Sequence, residues 1–278
     1  MMRAVLITGC SSGIGLCLAQ GLKQAGYRVF ATARKLQDVE KLSHLGFESY
    51  QLDLASSASI QLAMREIFSQ TDTLYGLIHN GAYGQVGALE DISREVLEAQ
   101  FQANVFGWHE LTNLVLPSMK KNNTGRIIYL SSVLGFVAMP FRGPYNASKF
   151  AIEGLVDTLR LELTNTQVQL SLIQPGPIES QFRANAYLAF KAHVDMDKSD
   201  YKENYQGMIQ RLKSTKLAAY TLSPESILNC TLHALEAPKA KIHYRVTFPT
   251  KLFAVLKRVL PSRIMDKILS KAGGGGKR

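Results

Sequence analysis

The sequence predicts an α/β protein built on a doubly wound parallel sheet and folded as a single domain. Two observations lead to this prediction. Apolar runs alternate with amphipathic segments between residues 3 and 174, and a glycine-rich turn joins the first run to the first amphipathic segment. Alternating strands and helices are typical of parallel sheets with helices on both faces. Right-handed crossovers then wind the sheet in both directions, as in Rossmann folds.

Local patterns justify each element in turn. Short apolar runs predict strands at 3–8, 28–32, 49–54, 75–80, 125–130 and 168–174. Apolar residues that recur every three or four positions predict helices at 13–25, 36–45, 56–69, within 95–120 and at 144–165. Ser56 stands where it can cap the third of these helices.

The alternation stops after Pro175. Residues 179–217 hold several aromatic side chains and no clear strand pattern. We therefore expect a helical substrate lid over the carboxyl ends of the strands, where open α/β sheets bind ligands. A helix at 223–235 and an edge strand at 241–246 are expected to complete a catalytic domain spanning residues 1–248.

Composition favours a soluble enzyme in a reducing compartment. Of the 278 residues, 46% are hydrophobic and 19% are charged, which suits a globular protein with a substantial core. Cys10, Cys17 and Cys230 are too few and too scattered for a disulfide framework or a metal site. Neither a signal peptide nor an apolar run long enough to span a bilayer is recognisable, so we expect a cytoplasmic enzyme without a metal.

The net charge of +10 is concentrated at the C-terminus. Residues 239–278 carry eleven Lys or Arg and one acidic residue, Asp266, whereas the rest of the chain is balanced. A nucleic-acid-binding protein would spread basic and aromatic residues over a face of its fold, so we expect no nucleic-acid partner.

Residues 249–278 are predicted to form a basic, amphipathic extension. One apolar stripe is expected along its first helix, formed by Leu252, Phe253, Leu256, Val259 and Leu260. The stripe either packs on the body of the protein or lies on an anionic membrane surface. Of these two alternatives we favour packing.

A phosphate-binding loop is predicted at residues 8–15 (TGCSSGIG), between the first strand and the first helix. Glycine permits positive φ angles and lets a phosphate approach the backbone. The free amides and positive end of the following helix favour an anion. Because strand, turn and helix occur in the required order, the loop predicts a dinucleotide site. The expected contacts are Gly9, Ser11, Ser12, Gly13, Ile14 and Gly15.

The end of the second strand is expected to select the cofactor. A carboxylate there would bind the ribose hydroxyl of NAD, whereas an arginine accommodates the additional phosphate of NADP. The strand runs into residues 32–35 (TARK), which contain Arg34 and no carboxylate. Since arginine binds phosphate in a bidentate manner, we expect NADP(H).

The residues that carry the chemistry are predicted to be Ser132, Tyr145 and Lys149. Tyr145 and Lys149 are four residues apart on a predicted helix and therefore share a face. An ammonium close to a phenol favours the phenolate and should lower the tyrosine pKa. The tyrosine could then act as a general acid or base on a carbonyl or alcohol oxygen. Ser132 follows the fifth strand and could hydrogen-bond that same oxygen.

In this order the phosphate loop, Ser132, Tyr145 and Lys149 resemble the short-chain dehydrogenase/reductase family over residues 3 to about 180. The resemblance implies that Tyr145 is the acid–base, that Lys149 holds the nicotinamide ribose and that Asn104 anchors a proton-relay water. It further implies cofactor contacts from Asp53 and Leu54 near the adenine, from Asn80 and Gly81, and from Pro175, Gly176 and Ile178 near the nicotinamide.

One segment departs from the family pattern. Where the family usually has Asn-Asn-Ala-Gly, this sequence has His79-Asn80-Gly81-Ala82. The exchange brings the cofactor-ribose contacts of this segment into question. His79 is either an additional acid–base residue or a structural residue at the strand end, and we favour the structural role.

The C-terminal half resembles bacterial NADP-dependent aldehyde reductases of the family, with retinol and 17-hydroxysteroid dehydrogenases as more distant relatives. This implies a small apolar aldehyde, ketone or alcohol as substrate, contacted by Ser132, Tyr145, Phe182 and Tyr187, and a homo-oligomeric assembly. The alternative is a catalytically silent NADP(H)-binding regulatory or scaffold protein.

Overall fold

One parallel sheet organises the computed structural model, which describes residues 2–273. Its strands within that range are β1 (Ala4–Ile7), β2 (Arg28–Ala33), β3 (Glu48–Gln51), β4 (Gly76–His79), β5 (Gly125–Leu130), β6 (Val168–Gln174) and β7 (His243–Arg245). They pair in parallel in the order β3-β2-β1-β4-β5-β6-β7. The winding direction reverses between β1 and β4, which confirms the predicted doubly wound fold.

Helices cover both faces of this sheet. They are α1 (Gly13–Gln24), α2 (Leu36–His44), α3 (Ser57–Gln70), α4 (Arg94–Phe101), α5 (Gly107–Lys121), α6 (Gly143–Glu162), α7 (Phe182–His193), α8 (Lys202–Lys213), α9 (Glu225–Glu236), α10 (Phe248–Val259) and α11 (Ser262–Ala272). Helices α1, α2 and α9 bury apolar side chains against one face, and α3, α5 and α6 against the other. Ser56 Oγ accepts a hydrogen bond from the Ser59 amide at 3.3 Å, which confirms the predicted cap of α3.

The helix expected within 95–120 has an irregular centre. α4 and α5 are joined by a π-turn at Gln102–Phe106, and α5 continues through Pro117. A Cβ atom on Gly107 would lie 1.9 Å from the carbonyl oxygen of Leu54, so this helix can approach the loop after β3 only with glycine there. Single π-turns inside α-helices are frequent at functional sites.

The segment 179–217 contains helices α7 and α8 with a 3₁₀ turn at Met196–Lys198 between them. Tyr205 on α8 is fully buried and stacks edge-on against Phe190 of α7. Its hydroxyl accepts a hydrogen bond from the Ala88 amide at 2.8 Å and donates one to the carboxylate of Asp91. These contacts anchor the helical segment to the loop that follows β4.

The C-terminal helices α10 and α11 pack on the turn that follows β5. Phe253, Met265 and Leu269 are buried against Val133 and Leu134 of that turn. The apolar stripe predicted on α10 is divided: Phe253 is buried and Leu256 and Leu260 partly so, whereas Leu252 and Val259 are exposed. The expectation of a single stripe was therefore wrong, because Phe253 faces the body of the protein whereas Leu252 and Val259 lie on the exposed side of the helix.

Residues 274–278, the end of the predicted basic extension, lie outside the described part of the chain. Within residues 2–273, no helix combines the length and apolar character that crossing a bilayer requires.

Candidate active site

The glycine-rich loop places three glycines in contacts that a larger residue could not make. Gly9 and Gly13 have positive φ angles of 72° and 52°. A Cβ atom on Gly9 would lie 2.6 Å from the Cα of Gly81, and one on Gly15 would lie 2.1 Å from the Gly9 carbonyl oxygen. The loop therefore presents bare backbone at the amino end of α1, at the point where the sheet changes winding direction.

The start of α1 lacks a side-chain partner for its amides. Ser12 occupies the cap position with extended backbone angles, but its side chain makes no capping hydrogen bond, and no acidic residue lies in the first turn. Ser11 and Ser12 are exposed, and Ile14 is half-buried. Free backbone amides at the amino end of a helix, next to a glycine-rich loop, can donate hydrogen bonds to the pyrophosphate of a dinucleotide.

Asn80 and Gly81 tie β4 to this loop. The Asn80 side-chain amide donates to the carbonyl oxygens of Thr8 and Gly9 at 2.9 and 3.0 Å. The backbone amides of Asn80 and Gly81 both donate to Thr8 Oγ1. Because Gly81 is the residue that Gly9 approaches, the glycine in this altered segment stands where a side chain would crowd the loop.

Ser132 and Tyr145 meet at the carboxyl end of β5. Ser132 Oγ accepts a hydrogen bond from the Leu134 amide at 3.0 Å, which holds the serine at the start of a 3₁₀ turn. The Ser132 side chain also lies close enough to Tyr145 to lower the pKa of its phenol. Phe182, from the start of α7, brings its ring centroid to 5.1 Å from that of Tyr145. The phenol therefore lies between a hydroxyl and an aromatic ring.

Burial raises the pKa of Tyr145 to about 12, against the opposing effect of the nearby Ser132 side chain. The expectation that the Lys149 ammonium lowers this pKa was therefore wrong for the chain on its own. The Lys149 amine donates to the Leu130 carbonyl oxygen at 2.7 Å and lies 5.7 Å from the Tyr145 ring centroid. At neutral pH the phenol is protonated, so Tyr145 can donate a proton.

Lys149 lies on the same face of α6 as Tyr145 and is almost completely buried. Its amine is 4.2 Å from the ring centroid of Trp108 on α5. Burial lowers the pKa of Lys149 to about 7, while the carboxylate of Glu153 acts in the opposite direction. Trp108, which sequence reasoning did not single out, thus forms a platform for the amine through a cation–π contact.

The π-turn directs Asn104 into the protein. Its amide donates to the Tyr83 carbonyl oxygen at 2.9 Å and to Ser148 Oγ at 3.1 Å, and its oxygen accepts from the Tyr83 amide. Ser148 lies on α6 between Tyr145 and Lys149 in sequence. Asn104 therefore connects the loop after β4 to the helix that carries the reacting side chains.

His79 is a buried residue beneath this region. Its Nε2 is 2.8 Å from Thr112 Oγ1, and its ring stacks on Tyr129 with centroids 4.6 Å apart. Burial, with a smaller contribution from Lys149, lowers the pKa of His79 to about 3. A histidine that is neutral throughout the physiological range and enclosed by aromatic rings fits the structural interpretation.

Several other predicted cofactor residues follow the carboxyl ends of the strands, on the same side of the sheet as Ser132. Arg34 is exposed directly after β2, and Asp53 accepts a hydrogen bond from the Ala55 amide. The Pro175 carbonyl oxygen accepts from the Val133 amide at 2.8 Å, linking β6 to the turn that carries Ser132. Two further residues have backbone roles: Gly176 packs against Thr247, and Ile178 bridges to Leu222.

Leu54 and Tyr187, which were predicted to contact cofactor and substrate respectively, both pack against other parts of the protein. Leu54 is buried, and its side chain faces Gly81. Tyr187, predicted to contact substrate, packs within the helical segment, with the Lys213 amine 4.8 Å from its ring centroid. Tyr187 and Tyr145 belong to different apolar clusters, and Phe182 is the lid residue whose ring contacts the phenol.

Glu153 is a charged neighbour of Lys149 that sequence reasoning missed, although its place one turn further along α6 is a signal for it. Gln174 Nε2 donates to both carboxylate oxygens at 3.0 and 2.9 Å, and His243 Nε2 is 3.8 Å away. Burial raises the pKa of Glu153, and hydrogen bonds to its side chain act in the opposite direction.

Glu153→Gln is expected to shift the pH dependence of activity. Glu153 raises the pKa of Lys149, so removing its charge should lower that pKa below about 7. The ammonium would then be lost at lower pH, and the high-pH limb of activity should move toward acid. Rates measured between pH 6 and 9, with Asp157→Gln as a control, test this. An unchanged limb would show that Glu153 does not tune Lys149.

Comparisons with known proteins agree with this geometry. The profile of the family described as short chain dehydrogenase matches residues 3–189. An uncharacterized oxidoreductase of Escherichia coli K12, YbbO, is 43% identical over 270 residues, covering 97% of this chain and 94% of its own. Human 17-beta-hydroxysteroid dehydrogenase type 1 is 33% identical over 269 residues, covering 92% and 80%.

Among solved structures, a short-chain dehydrogenase from Streptomyces avermitilis superimposes with a TM-score of 0.80 over 99% of this chain and 98% of its own, at 22% identity. Its likeness supports the fold. Together with the sequence relatives, the matches establish an oxidoreductase, and one solved neighbour, from Burkholderia phymatum, is described in complex with NAD. The chain belongs to the short-chain dehydrogenase/reductase family.

Proposed function

We propose that this protein is an NADP(H)-dependent reductase of apolar aldehydes or ketones. The observation that carries the proposal is the meeting of Ser132, Tyr145 and Phe182 at the carboxyl end of β5. A hydroxyl and a protonated phenol can both donate to a carbonyl oxygen, while the aromatic ring favours an apolar substituent. The raised pKa of Tyr145 supports the direction of reduction, because a protonated phenol is a general acid.

In the proposed mechanism, the hydroxyls of Ser132 and Tyr145 hold the substrate oxygen by hydrogen bonds. Reduced nicotinamide, when bound in the cofactor site, would supply the hydride for the carbonyl carbon. Tyr145 transfers its proton to the developing alkoxide and becomes a phenolate. Lys149, buried beneath the phenol on the same helix face, stabilises that negative charge when its amine is protonated. Asn104 keeps α6 in register with the loop after β4.

The cofactor would be held by the glycine cradle, by the free amides at the start of α1 and by the segment Asn80–Gly81. Arg34 supports the choice of NADP(H): it is exposed at the end of β2 and forms no ion pair with another residue of the described range. Its backbone oxygen accepts a hydrogen bond from Gln51 Nε2 at 3.1 Å, which fixes the chain at this point.

Arg34→Glu is expected to reverse the cofactor preference. Hydrogen bonds to charged groups contribute roughly 1.5–3 kcal/mol, so kcat/KM with NADPH should fall about 10- to 150-fold. The value with NADH should change little or rise. Lys35→Glu, at the neighbouring exposed position, is the matched control and should retain the preference. If Arg34→Glu used NADPH as well as the unaltered protein does, the proposed phosphate contact would be wrong.

An apolar carbonyl substrate is supported by the aromatic lining and by the relative whose name gives a hydroxysteroid as its substrate. The direct test is oxidation of NADPH with a panel of medium-chain aldehydes and ketones, compared with polar sugars. Turnover restricted to polar substrates would overturn the proposed class. NADPH binding without turnover of any carbonyl would favour the alternative, a silent regulatory or scaffold protein.

Assembly into a homo-oligomer stays a prediction. Exposed Phe150, Leu155 and Leu161 on α6 form the surface that we expect a second copy to cover. The expectation of a cytoplasmic protein without a nucleic-acid partner likewise stays a prediction.

A further inference from the structure

Helix α10 has two apolar faces. The face that packs on the body of the protein contains Thr250, Phe253 and Ala254, all buried. A helix advances 100° per residue, so positions 248, 252, 255 and 259 lie together on the opposite side. We call these four residues the outer stripe: Phe248, Leu252, Val255 and Val259, with exposed fractions of 56%, 40%, 59% and 67%.

The outer stripe continues onto the segment between α8 and α9. Tyr220 is 61% exposed, and its ring centroid is 5.2 Å from that of Phe248. Five large apolar or aromatic side chains are therefore exposed along one helix and the segment beside it. Monomeric soluble proteins rarely expose contiguous apolar patches of this kind unless a partner covers them.

Positive charge borders the outer stripe. Lys251 lies one turn from both Phe248 and Val255, and Arg258 lies one turn from Val255, so both side chains follow the same edge. Both are exposed, and neither forms an ion pair within residues 2–273. Residues 239–278 carry eleven basic residues against one acidic residue, Asp266, so the C-terminal segment has a large excess of positive charge.

We propose that the outer stripe rests on an anionic membrane surface, with its apolar side chains in the interfacial region and Lys251 and Arg258 against lipid phosphates. Charge complementarity favours this occupant over a second copy of the chain. An antiparallel two-fold contact through the stripe would bring the same basic edge of both copies together, and like charges would oppose it. Anionic lipid instead neutralises every basic group at the surface. Tyr220 suits such a site because its ring is amphipathic.

Vesicle sedimentation tests this surface with the full-length protein. The protein is expected to sediment with vesicles of phosphatidylcholine containing about 30% phosphatidylglycerol and to stay in solution with phosphatidylcholine alone. Lys251→Gln with Arg258→Gln should weaken the partition about 25-fold, or about fivefold for each charge. Val255→Ser with Val259→Ser should weaken it at least about tenfold, because both side chains leave water when they bind.

Matched controls lie elsewhere on the surface. Leu45→Ser with Leu62→Ser alters side chains that are 52% and 51% exposed, and Lys120→Gln with Lys121→Gln removes two exposed charges at the end of α5. Both pairs should leave the partition within about twofold of the unaltered protein, since neither lies on α10.

Three results would overturn the proposal: no sedimentation with anionic vesicles, equal binding by the stripe variants, or equal loss by the controls. Sedimentation velocity gives a separate check on the occupant. If Val255→Ser with Val259→Ser dissociated an oligomer that the controls retain, the stripe would be a contact between copies, and the membrane assignment would be wrong. The test does not depend on turnover, so its outcome is distinguishable from failure of the proposed function.

Discussion

Replacing Tyr145 by phenylalanine is expected to lower kcat for carbonyl reduction by about 100- to 10,000-fold, the usual contribution of a positioned general acid. The substitution keeps the ring that contacts Phe182 and removes only the hydroxyl whose pKa Ser132 influences. The fold and the cofactor site should therefore persist. The measurement is the rate of NADPH oxidation with the best aldehyde of the panel, together with NADPH affinity from fluorescence titration.

Tyr50→Phe is the matched control, because Tyr50 is a partly buried tyrosine on β3, at the far edge of the sheet from β5. It should retain full activity. A Tyr145→Phe protein that turned over aldehyde at the unaltered rate would remove Tyr145 from the mechanism. If NADPH affinity fell in parallel with the rate, the loss would reflect a damaged site instead of a missing proton donor.

Gly15→Ala is expected to weaken NADPH binding by about 5- to 150-fold, since overpacking of a closely packed site costs about 1–3 kcal/mol. The new methyl group would lie 2.1 Å from the Gly9 carbonyl oxygen and 2.6 Å from Asn80 Nδ2. Asn80 could then no longer bridge Thr8 and Gly9, and the loop would open. Titration with NADPH measures the affinity, and thermal unfolding measures the accompanying loss of stability.

Gly154→Ala provides the control for adding a methyl group to a helical glycine. Gly154 lies on α6, and a Cβ atom there would meet no atom within 4 Å. Alanine is favoured over glycine inside a helix by about 0.5–1 kcal/mol, so this variant should bind NADPH normally and unfold at a slightly higher temperature. Unchanged NADPH affinity in Gly15→Ala would show that the glycine loop is not the cofactor cradle.

Local patterns were sufficient for the order of elements and for the chemistry-bearing motifs. The strands predicted at 125–130 and 168–174 have those bounds in the structure. The length of an apolar run, its periodicity and the turn residues that flank it are all local signals of conformation. The glycine loop and the spacing of Tyr145 and Lys149 are equally local, so the sequence also predicted which side chains share a helix face.

The surroundings of those side chains depend on segments far apart in the chain. The π-turn that turns Asn104 inward has no periodicity of its own, and it joins Tyr83 to Ser148. The sign of the Tyr145 pKa shift was mispredicted for the same reason. The spacing along α6 brought an ammonium near the phenol, but the loss of solvent around the phenol has the larger effect.

By itself the sequence determined the doubly wound fold, the phosphate loop, the family and the pair Tyr145–Lys149. Each of these can be recognised from the types of residue that lie close together in the chain. Only the tertiary structure decided that Trp108 and Glu153 surround Lys149, that His79 is enclosed, and which side of α10 is left exposed. Burial and desolvation are properties of contacts between distant segments, and no single stretch of sequence contains them.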